Sequence, residues 1–449
     1  MLKDTKRATR RISEKGRTVV RAGKRPFAGT DGPETVVRAG KAAFGGTEGK
    51  ARAFLPNVID AVEKLQQKGC QRLLFALKCL YLGINNSPMK NAEQLKQIAL
   101  HFDIQGNILS IKPLGNGLIN DTLLVETDGE DNYVLQRINN AIFKDVDLLQ
   151  HNIDCATAHI RRKLAGDPDI NRKVLRFLPC KESGKSYWTD GQEYWRVSVF
   201  IKNAHTYDTV NPEYSYCCGK TFGQFDAMLA DIPDTLGETI PDFHNMELRA
   251  RQLREAVAAD KAGRMAEQEV QDILSDLLPF EEEMCKAERL YREGKLPKRI
   301  CHCDTKVNNM MFDDDGNVLC VIDLDTLMPS FVFSDFGDFL RTAANTVAED
   351  DPAIDKVDFR MDIFEAFAKG YVESAKVFLT PVEKENLPFA ACLFPYMQAV
   401  RFFADYINGD TYYKIKYPEH NLVRTRNQLA LFHAAYSKMP AMKAFIDSL

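Results

Sequence analysis

The sequence predicts an α+β protein in which a mostly antiparallel β-sheet precedes a larger helical part. Short apolar runs separated by turn residues occupy residues 108–201 and indicate strands. From Pro212 onward, the apolar residues recur at helical spacing instead. The chain of 449 residues is long enough for two or three domains with a substantial core.

The first 88 residues differ in composition from the rest. Residues 1–50 carry about eight excess positive charges, and the string Thr18–Lys24 returns unchanged as Thr35–Lys41. Two short Gly-rich copies cannot build a solenoid. We therefore expect a basic low-complexity extension over 1–88 that is disordered in its first half. A nucleic-acid-binding arm is the functional alternative, but no aromatic pattern supports it. We expect Met89 to be the native start.

Charge and cysteine usage exclude several classes of function. The formal net charge of −4 gives no argument for nucleic acid or an anionic membrane as a partner. The 11 cysteines lack the spacing of a disulfide framework, which indicates reduced thiols. The most apolar early run, Leu73 to Leu82, is too short to span a bilayer. We therefore expect a cytoplasmic protein that binds neither nucleic acid nor a membrane.

Residues 89–201 predict a sheet accompanied by two helices. Asn91 suits the N-cap of a first helix, whose apolar residues share one face: Leu95, Ile98, Ala99 and Phe102. A second helix is predicted over Asp145–Ala165. Five strands are predicted, at Ile108–Leu114, Asn120–Glu126, Tyr133–Ile138, Val174–Leu178 and Tyr194–Ile201.

The segment Ile300–Asp325 contains the most informative pattern in the chain. Two short apolar runs, joined by an acidic turn that ends in Gly316, predict a β-hairpin. The hairpin brings Asp304, Asn309 and Asp323 to the same end of the sheet. That arrangement places one candidate base beside two oxygen ligands for a hard divalent cation, as phosphoryl transfer from ATP requires.

A zinc site at Cys301, His302 and Cys303 is a weaker interpretation of the same segment. Adjacent residues cannot easily all reach one tetrahedral metal ion, and no second Cys/His cluster stands at finger spacing.

The string DTKVNNMMF…VLCVIDLDTLMP…SDFGDFLR resembles the catalytic segment of the aminoglycoside phosphotransferase and choline kinase superfamily. Within that superfamily it is similar to the N-acetylhexosamine 1-kinases. The resemblance implies a protein-kinase-like two-lobed fold, with ATP and Mg²⁺ as cofactors. It implies Asp304 as the catalytic base and Asn309 and Asp323 as magnesium ligands. Asp325 becomes a further metal ligand or a supporting group.

For the small ATP-binding lobe, residues 89–201, the resemblance implies four contacts with ATP. Gly115 and Gly117 form a turn that offers backbone N–H groups to the phosphates. The hinge residues Phe200 and Ile201 meet the adenine. The third strand lacks the expected Lys, and the basic position aligns with Gln136. Neighbouring residues on a strand face opposite ways, so only one of the two side chains can point at ATP. Gln136 has the expected register and Arg137 has the charge, and we favour Arg137.

The helix over Asp145–Ala165 also lacks the Glu that usually pairs with that Lys. The missing Lys and Glu leave open the possibility of a non-catalytic pseudokinase. ATP turnover would distinguish the two classes.

For the helical lobe, residues 202–449, the resemblance places Arg401 and Tyr412 on the sugar together with Asp304. The structural alternative is that Arg401 pairs with Asp405 across one helical turn. Asp335 and Asp338 lie where the next helix begins, and we expect them to cap it.

The implied reaction moves the γ-phosphoryl group of MgATP to the anomeric hydroxyl of N-acetylglucosamine or N-acetylgalactosamine. Another acceptor, such as an aminoglycoside, choline or homoserine, is the main alternative. We expect a monomer.

Overall fold

The fold is described from a computed structural model. It covers residues 90–115, 119–207 and 209–449, and the stretch from Lys90 to Leu449 forms one compact unit. The predicted extension over 1–88 lies outside the described residues, as do Met89, Gly117 and Asp208. The predicted division of the chain after residue 201 stays a prediction.

A five-stranded antiparallel sheet forms the first part of this unit, with strand order β1-β2-β3-β5-β4. The first three predicted strands and the last one are confirmed to within two residues. The fourth is wrong: residues 174–178 form no strand and pair with the sheet backbone through one bridge, between Phe177 and Ser198. A two-residue strand forms farther on instead. The strands are β1 (Ile108–Pro113), β2 (Asp121–Thr127), β3 (Tyr133–Ile138), β4 (Trp188–Thr189) and β5 (Tyr194–Val199).

Two helices cover opposite faces of this sheet. Helix α1 (Ala92–Ala99) begins with the predicted N-cap Asn91, which forms a capping box with Gln94. Its four predicted apolar residues are buried against alternate residues of the strands, including Tyr133, Leu135 and Trp195. Helix α2 (Val146–Lys163) covers the other face and matches the second predicted helix. A single turn, α3 (Ile170–Lys173), follows it.

The second part of the unit is mostly helical and contains two short antiparallel strand pairs. Strand β6 (Arg299–Cys301) pairs with β9 (Met328–Ser330), and β7 (Met310–Phe312) pairs with β8 (Val318–Val321). The helices are α4 (Pro212–Leu229), α5 (Met246–Ala259), α6 (Gln268–Leu277), α7 (Glu281–Met284), α8 (Lys286–Arg292), α9 (Phe333–Ala343), α10 (Met361–Ala375), α11 (Pro381–Glu385), α12 (Leu387–Ile407) and α13 (His420–Ser448).

Helix α12 runs through the core of the helical part and packs against α5, α9 and α13. Within the described ranges it is the one helix of 21 residues apolar enough to cross a membrane by length and composition. However, 89% of its most apolar window is buried inside the protein. A buried apolar helix of this kind is typical of the core of a large globular protein.

Glu288 on α8 makes the stability of this core depend on pH. Its side chain is buried and accepts a hydrogen bond of 2.6 Å from the Met246 N–H group at the start of α5. Burial, aided by the charge of Glu247, raises the pKa of Glu288 to about 7. The stabilising effect of the neutral form is therefore complete below the unfolded pKa of 4.5 and is lost as the pH rises through 7.

We expect Glu288→Gln to remove this loss. In thermal unfolding scans, the Tm of the variant minus the Tm of the unaltered protein should increase from pH 5 to pH 8. Glu255→Gln is the matched control, because Glu255 is exposed on α5 and pairs with Arg251 at 3.8 Å at the surface. A Tm difference for Glu288→Gln that stays constant with pH would contradict the assignment.

Candidate active site

The hairpin forms as predicted and brings the three candidate residues together. Strands β7 and β8 are joined by the turn at Gly316, which has a positive φ of 81°. The Ile322 N–H group donates to the Asn309 carbonyl at 2.9 Å, next to Asp323. The Asn309 amide nitrogen donates to the backbone oxygen of Asp304 at 2.8 Å and to its Oδ2 at 3.1 Å.

The Asp304 carboxylate is partly accessible and has one oxygen free. Its Oδ2 also lies 2.9 Å from the Lys306 Nζ. Its Oδ1 accepts no hydrogen bond from the described residues. Burial lowers the pKa of Lys306, but the Asp304 carboxylate outweighs this and raises it, so Lys306 stays protonated. Asp304 can therefore take a proton through Oδ1 while Lys306 and Asn309 hold the other oxygen in place.

The loop before Asp304 is held by buried groups. The Asp335 carboxylate accepts the N–H groups of His302 and Cys303, both at 2.7 Å. His302 donates from Nε2 to the Ile322 carbonyl at 2.8 Å. Cys303 has a positive φ of 62°, which is unfavourable for a residue with a Cβ. Charge-assisted hydrogen bonds to Asp335 on one side compensate for that strain.

The expectation that Asp335 and Asp338 cap the helix is therefore wrong. Helix α9 has Val332 at its N-cap and no side-chain capping bond. Asp335 instead reaches the catalytic loop, and Asp338 binds the Arg341 Nε at 2.9 Å. Asp335 finds its donors across the core, whereas Asp338 pairs with the Arg341 side chain of its own helix.

Asp323 lies just after the second strand of the hairpin. Its side chain reaches solvent, although protein surrounds it on most sides. That environment, together with the charges of Asp325 and Asp304, raises the pKa of Asp323 to about 6. Its carboxylate receives no hydrogen bond and no ion pair from any described residue. A carboxylate without a direct ion-pair partner among the described residues is suited to a cation.

The chemistry of these donors fits Mg²⁺. The Asn309 nitrogen is occupied by Asp304, which leaves the amide oxygen as the atom available to a cation. Asp323 supplies a carboxylate, and oxygen ligands are the ones Mg²⁺ prefers. Among the described residues no group of three or more His, Cys, Asp or Glu side chains could hold a metal. Mg²⁺ is usually bound by one or two carboxylates together with substrate phosphates, so two protein ligands suffice.

Among the basic side chains of the sheet, Arg196 on β5 reaches the segment that carries Asp323, through its pair with Asp325. Arg137, which we expected in that place, faces the other side of the sheet. Arg137 donates from Nε to Asp121 at 2.7 Å and pairs with Glu193 at 3.0 Å. It shares the strand face covered by α1, because it alternates with Leu135 and Tyr133 on β3. Gln136 faces the other side and accepts a 3.0 Å hydrogen bond from Arg196, its partner across the sheet.

Three of the four backbone positions predicted to contact ATP lie within the described residues. Gly115 lies in the turn after β1 with a φ of 69°, and Gly117 lies outside the described residues. Phe200 and Ile201 follow β5, and Ile201 packs against Leu319 of the hairpin. The Phe200 N–H group already donates to the Asn132 carbonyl at 2.9 Å. The backbone of Ile201 makes no hydrogen bond to the described residues, so Ile201 is the better-placed adenine contact.

Arg401 and Tyr412 lie on neighbouring elements around one aromatic cluster. The Arg401 guanidinium lies 5.4 Å from the Phe243 ring centroid and 5.7 Å from that of Tyr413. Phe243 packs against the cysteine cluster that contains Cys303, next to Asp304. The Tyr412 side chain is 63% exposed and its ring lies 4.8 Å from that of Tyr413.

The alternative pairing of Arg401 with Asp405 does not form. Arg401 donates instead to Gln398 Oε1 at 3.0 Å. The Asp405 carboxylate accepts three successive backbone N–H groups at 2.8–3.0 Å, which fixes the loop after α12 that carries Tyr412: Thr411, Tyr412 and Tyr413.

The pattern of the sequence did not identify Lys306, Asp335 or Arg196 as parts of the site. Lys306 stands two residues after Asp304, a spacing that could have indicated it. Arg196 interrupts an apolar strand, Tyr194–Val199, and a charge in such a strand indicates a buried partner. For Asp335, the sequence contains no local sign of the contact.

Comparisons with known proteins agree with this geometry. A profile described as the phosphotransferase enzyme family matches residues 110–373, more than half of the chain. The fold is similar to that of an aminoglycoside phosphotransferase from Alicyclobacillus acidocaldarius, with a TM-score of 0.54 and 13% identity over 81% of this chain and 98% of the other. It is also similar to choline kinase from Cryptosporidium parvum, with a TM-score of 0.50 and 13% identity over 79% of this chain and 98% of the other. The predicted kinase-like α+β fold is thereby confirmed, and the chain belongs to the phosphotransferase enzyme family.

Proposed function

We propose that the protein is an ATP-dependent kinase that phosphorylates the anomeric hydroxyl of N-acetylglucosamine or N-acetylgalactosamine. One observation carries the phosphoryl-transfer part of this proposal. The free Oδ1 of Asp304 lies in the same cluster as two oxygen donors that have no partner among the described residues, those of Asn309 and Asp323. A base next to a cation site is the arrangement that phosphoryl transfer uses.

In the proposed reaction, Asp304 Oδ1 accepts the proton of the anomeric hydroxyl. The sugar oxygen forms a bond to the γ-phosphorus, the bond from that phosphorus to the bridging oxygen breaks, and ADP leaves. Asn309 and Asp323 would hold Mg²⁺, which offsets charge on the phosphates when it is bound. Lys306 adds a fixed positive charge beside the base.

The acceptor assignment is supported by Arg401 and Tyr412. A guanidinium held over aromatic rings offers N–H groups to sugar hydroxyls and to an acetamido carbonyl. A neutral polyol suits this surface better than a polycationic aminoglycoside does, because Arg401 would repel ammonium groups. The assignments to the cytoplasm and to a monomer are part of the same proposal.

The test is release of ADP from MgATP with a panel of acceptors: N-acetylglucosamine, N-acetylgalactosamine, glucose, kanamycin, choline and homoserine. We expect selective turnover with the two acetamido sugars. We also expect Arg401→Gln to raise the KM for the sugar about 10- to 100-fold, the effect of losing a hydrogen bond from a charged donor. The KM for ATP should not change.

Arg426→Gln is the matched control, because Arg426 pairs with Glu269 at the surface of α13. Turnover with choline or kanamycin and not with the sugars would show that the proposed acceptor is wrong and that the compound turned over belongs to the acceptor class. Binding of ATP without turnover of any acceptor would favour a pseudokinase.

A further inference from the structure

The carboxylate of Asp325 is held by the sheet and not by its own segment. The Asn120 amide nitrogen, just before β2, donates to Asp325 Oδ2 at 2.6 Å. The Arg196 Nη2 on β5 lies 2.6 Å from Asp325 Oδ1. We call these three residues the latch. Asp325 stands two residues after Asp323, so the latch connects the sheet to the segment that carries the proposed cation ligand.

Each nitrogen of the Arg196 guanidinium has a partner inside the protein. Its Nε donates to Gln136 Oε1 and its Nη1 to Gln150 Oε1 on α2, both at 3.0 Å. Its guanidinium lies 5.3 Å from the Phe177 ring centroid. Arg196 and Gln136 are partners across β5 and β3. The cation that β3 lacks is therefore present on the adjacent strand, directly opposite the position where β3 carries a neutral side chain.

A buried ion pair is weak evidence for stability, because removing two charges from water costs about as much as their attraction returns. The Arg196 and Asp325 side chains are 3% and 5% exposed. A pair retained under that cost is better explained by the geometry it fixes. Here the geometry to be fixed is that of the chain at Asp323.

Asp323 adopts a left-handed backbone conformation, with a φ of 60° and a ψ of 58°. Such a conformation is unfavourable for a residue with a Cβ and persists only when the surroundings determine it. Upstream, the Ile322 carbonyl accepts from His302 at 2.8 Å. Downstream, the Asp325 carbonyl accepts from Thr239 at 3.1 Å, and the latch holds its side chain. The latch is the ionic anchor on this side.

We propose that Arg196 and Asp325 are positioning residues that orient Asp323 for the cation. This inference rests on the proposed function only in requiring nucleotide and Mg²⁺, not in the choice of acceptor. Asp325 supports the cation ligand in this arrangement, since its Oδ2 accepts a hydrogen bond from Asn120 and its Oδ1 pairs with the Arg196 charge without accepting a hydrogen bond from the described residues.

The test is the Mg²⁺ dependence of ADP binding, measured by titration calorimetry with MgCl₂ and ADP as the probes. The variants are Arg196→Gln, Asp325→Asn, the double variant and the conservative Arg196→Lys. We expect each neutralising single variant to weaken the apparent Mg²⁺ affinity about 10- to 100-fold, as loss of groups that support metal ligands does. The Mg²⁺ affinity of the double variant should be no lower than that of the single variant with the lower affinity, because the two single variants remove the same contact. Arg196→Lys should recover part of the affinity, since an ammonium can still pair with Asp325.

Arg176→Gln is the matched control in the same sheet region, because Arg176 pairs with Asp131 at 3.1 Å and is exposed. It should bind ADP and Mg²⁺ like the unaltered protein. Melting temperatures of all variants, measured without ligand, report any loss of folding. The Asp325→Asn side chain keeps the shape of the native one, so it provides a folded variant if Arg196→Gln does not fold.

Three results would overturn the proposal. A lower Tm with an unchanged Mg²⁺ dependence would make the latch purely structural. An unchanged or tighter Mg²⁺ affinity in Arg196→Gln, with loss of affinity in Asp325→Asn, would make Asp325 a metal ligand. Absence of Mg²⁺-dependent ADP binding in the unaltered protein would overturn the cation site and the latch together. Failure of the acetamido sugars alone would leave all these readouts intact, so the two failures are distinguishable.

Discussion

Replacing Asp304 with asparagine is expected to lower kcat about 10²- to 10⁴-fold, the range for loss of a general base. Asparagine keeps the shape of the side chain and can still contact Asn309 and Lys306. It cannot take a proton through the atom that replaces Oδ1, the carboxylate oxygen without a protein partner. The affinity for MgATP should change little, because Asp304 is not one of the two oxygen donors assigned to the cation.

The measurement combines steady-state ADP release with calorimetric titration of the nucleotide. Asp314→Asn is the control, since Asp314 lies in the turn of the same hairpin and pairs with His205 at 2.6 Å near the surface. Near-normal turnover of Asp304→Asn would mean that another group takes the proton. A parallel loss of nucleotide binding would place Asp304 at the cation instead.

Replacing Asp323 with alanine is expected to reduce MgATP turnover about 10³-fold or more. Loss of a metal ligand removes several kcal/mol of charge stabilisation in the transition state, and each 1.36 kcal/mol corresponds to about tenfold in rate. Unlike Asp304→Asn, this variant should lose the Mg²⁺-dependent part of ADP binding as well. The contrast between the two variants separates the proton acceptor from the cation ligand.

Titration of kcat against Mg²⁺ concentration is the decisive measurement for Asp323→Ala. Removal of the Asp323 charge relieves its repulsion with Asp325 and Asp304. This offsets the cost of placing alanine at a positive φ, so we expect little change in Tm. A drop in Tm without a change in Mg²⁺ requirement would assign Asp323 a structural role. An unchanged Mg²⁺ requirement at normal turnover would exclude it as a ligand.

Contacts between residues close in the sequence were predictable. The hairpin from Met310 to Val321 and the N-cap at Asn91 depend on turn residues and on spacing within one segment. The grouping of Asp304, Asn309 and Asp323 follows from that hairpin, since the distance between them along the chain is short.

Contacts between distant segments were not predictable from these patterns. Asp335 is 33 residues from His302, whose N–H group it accepts, and nothing in its own helix favours that partner over a cap. Alternation along β3 predicted that only one of Gln136 and Arg137 would face the site. Which of them does so depends on the face that α1 covers, and a cross-strand neighbour, Arg196, provides the charge.

The burial of α12 has a consequence for biosynthesis. Its apolar surface is covered by α5, α9 and α13, and α13 follows it in the sequence. A ribosome adds about 5–20 residues per second, so the 29 residues of α13 take on the order of seconds to appear. During that interval the nascent chain exposes a 21-residue apolar segment without its last covering helix. Chaperone demand during synthesis should therefore be concentrated on the C-terminal quarter of this chain and not on the ATP-binding sheet.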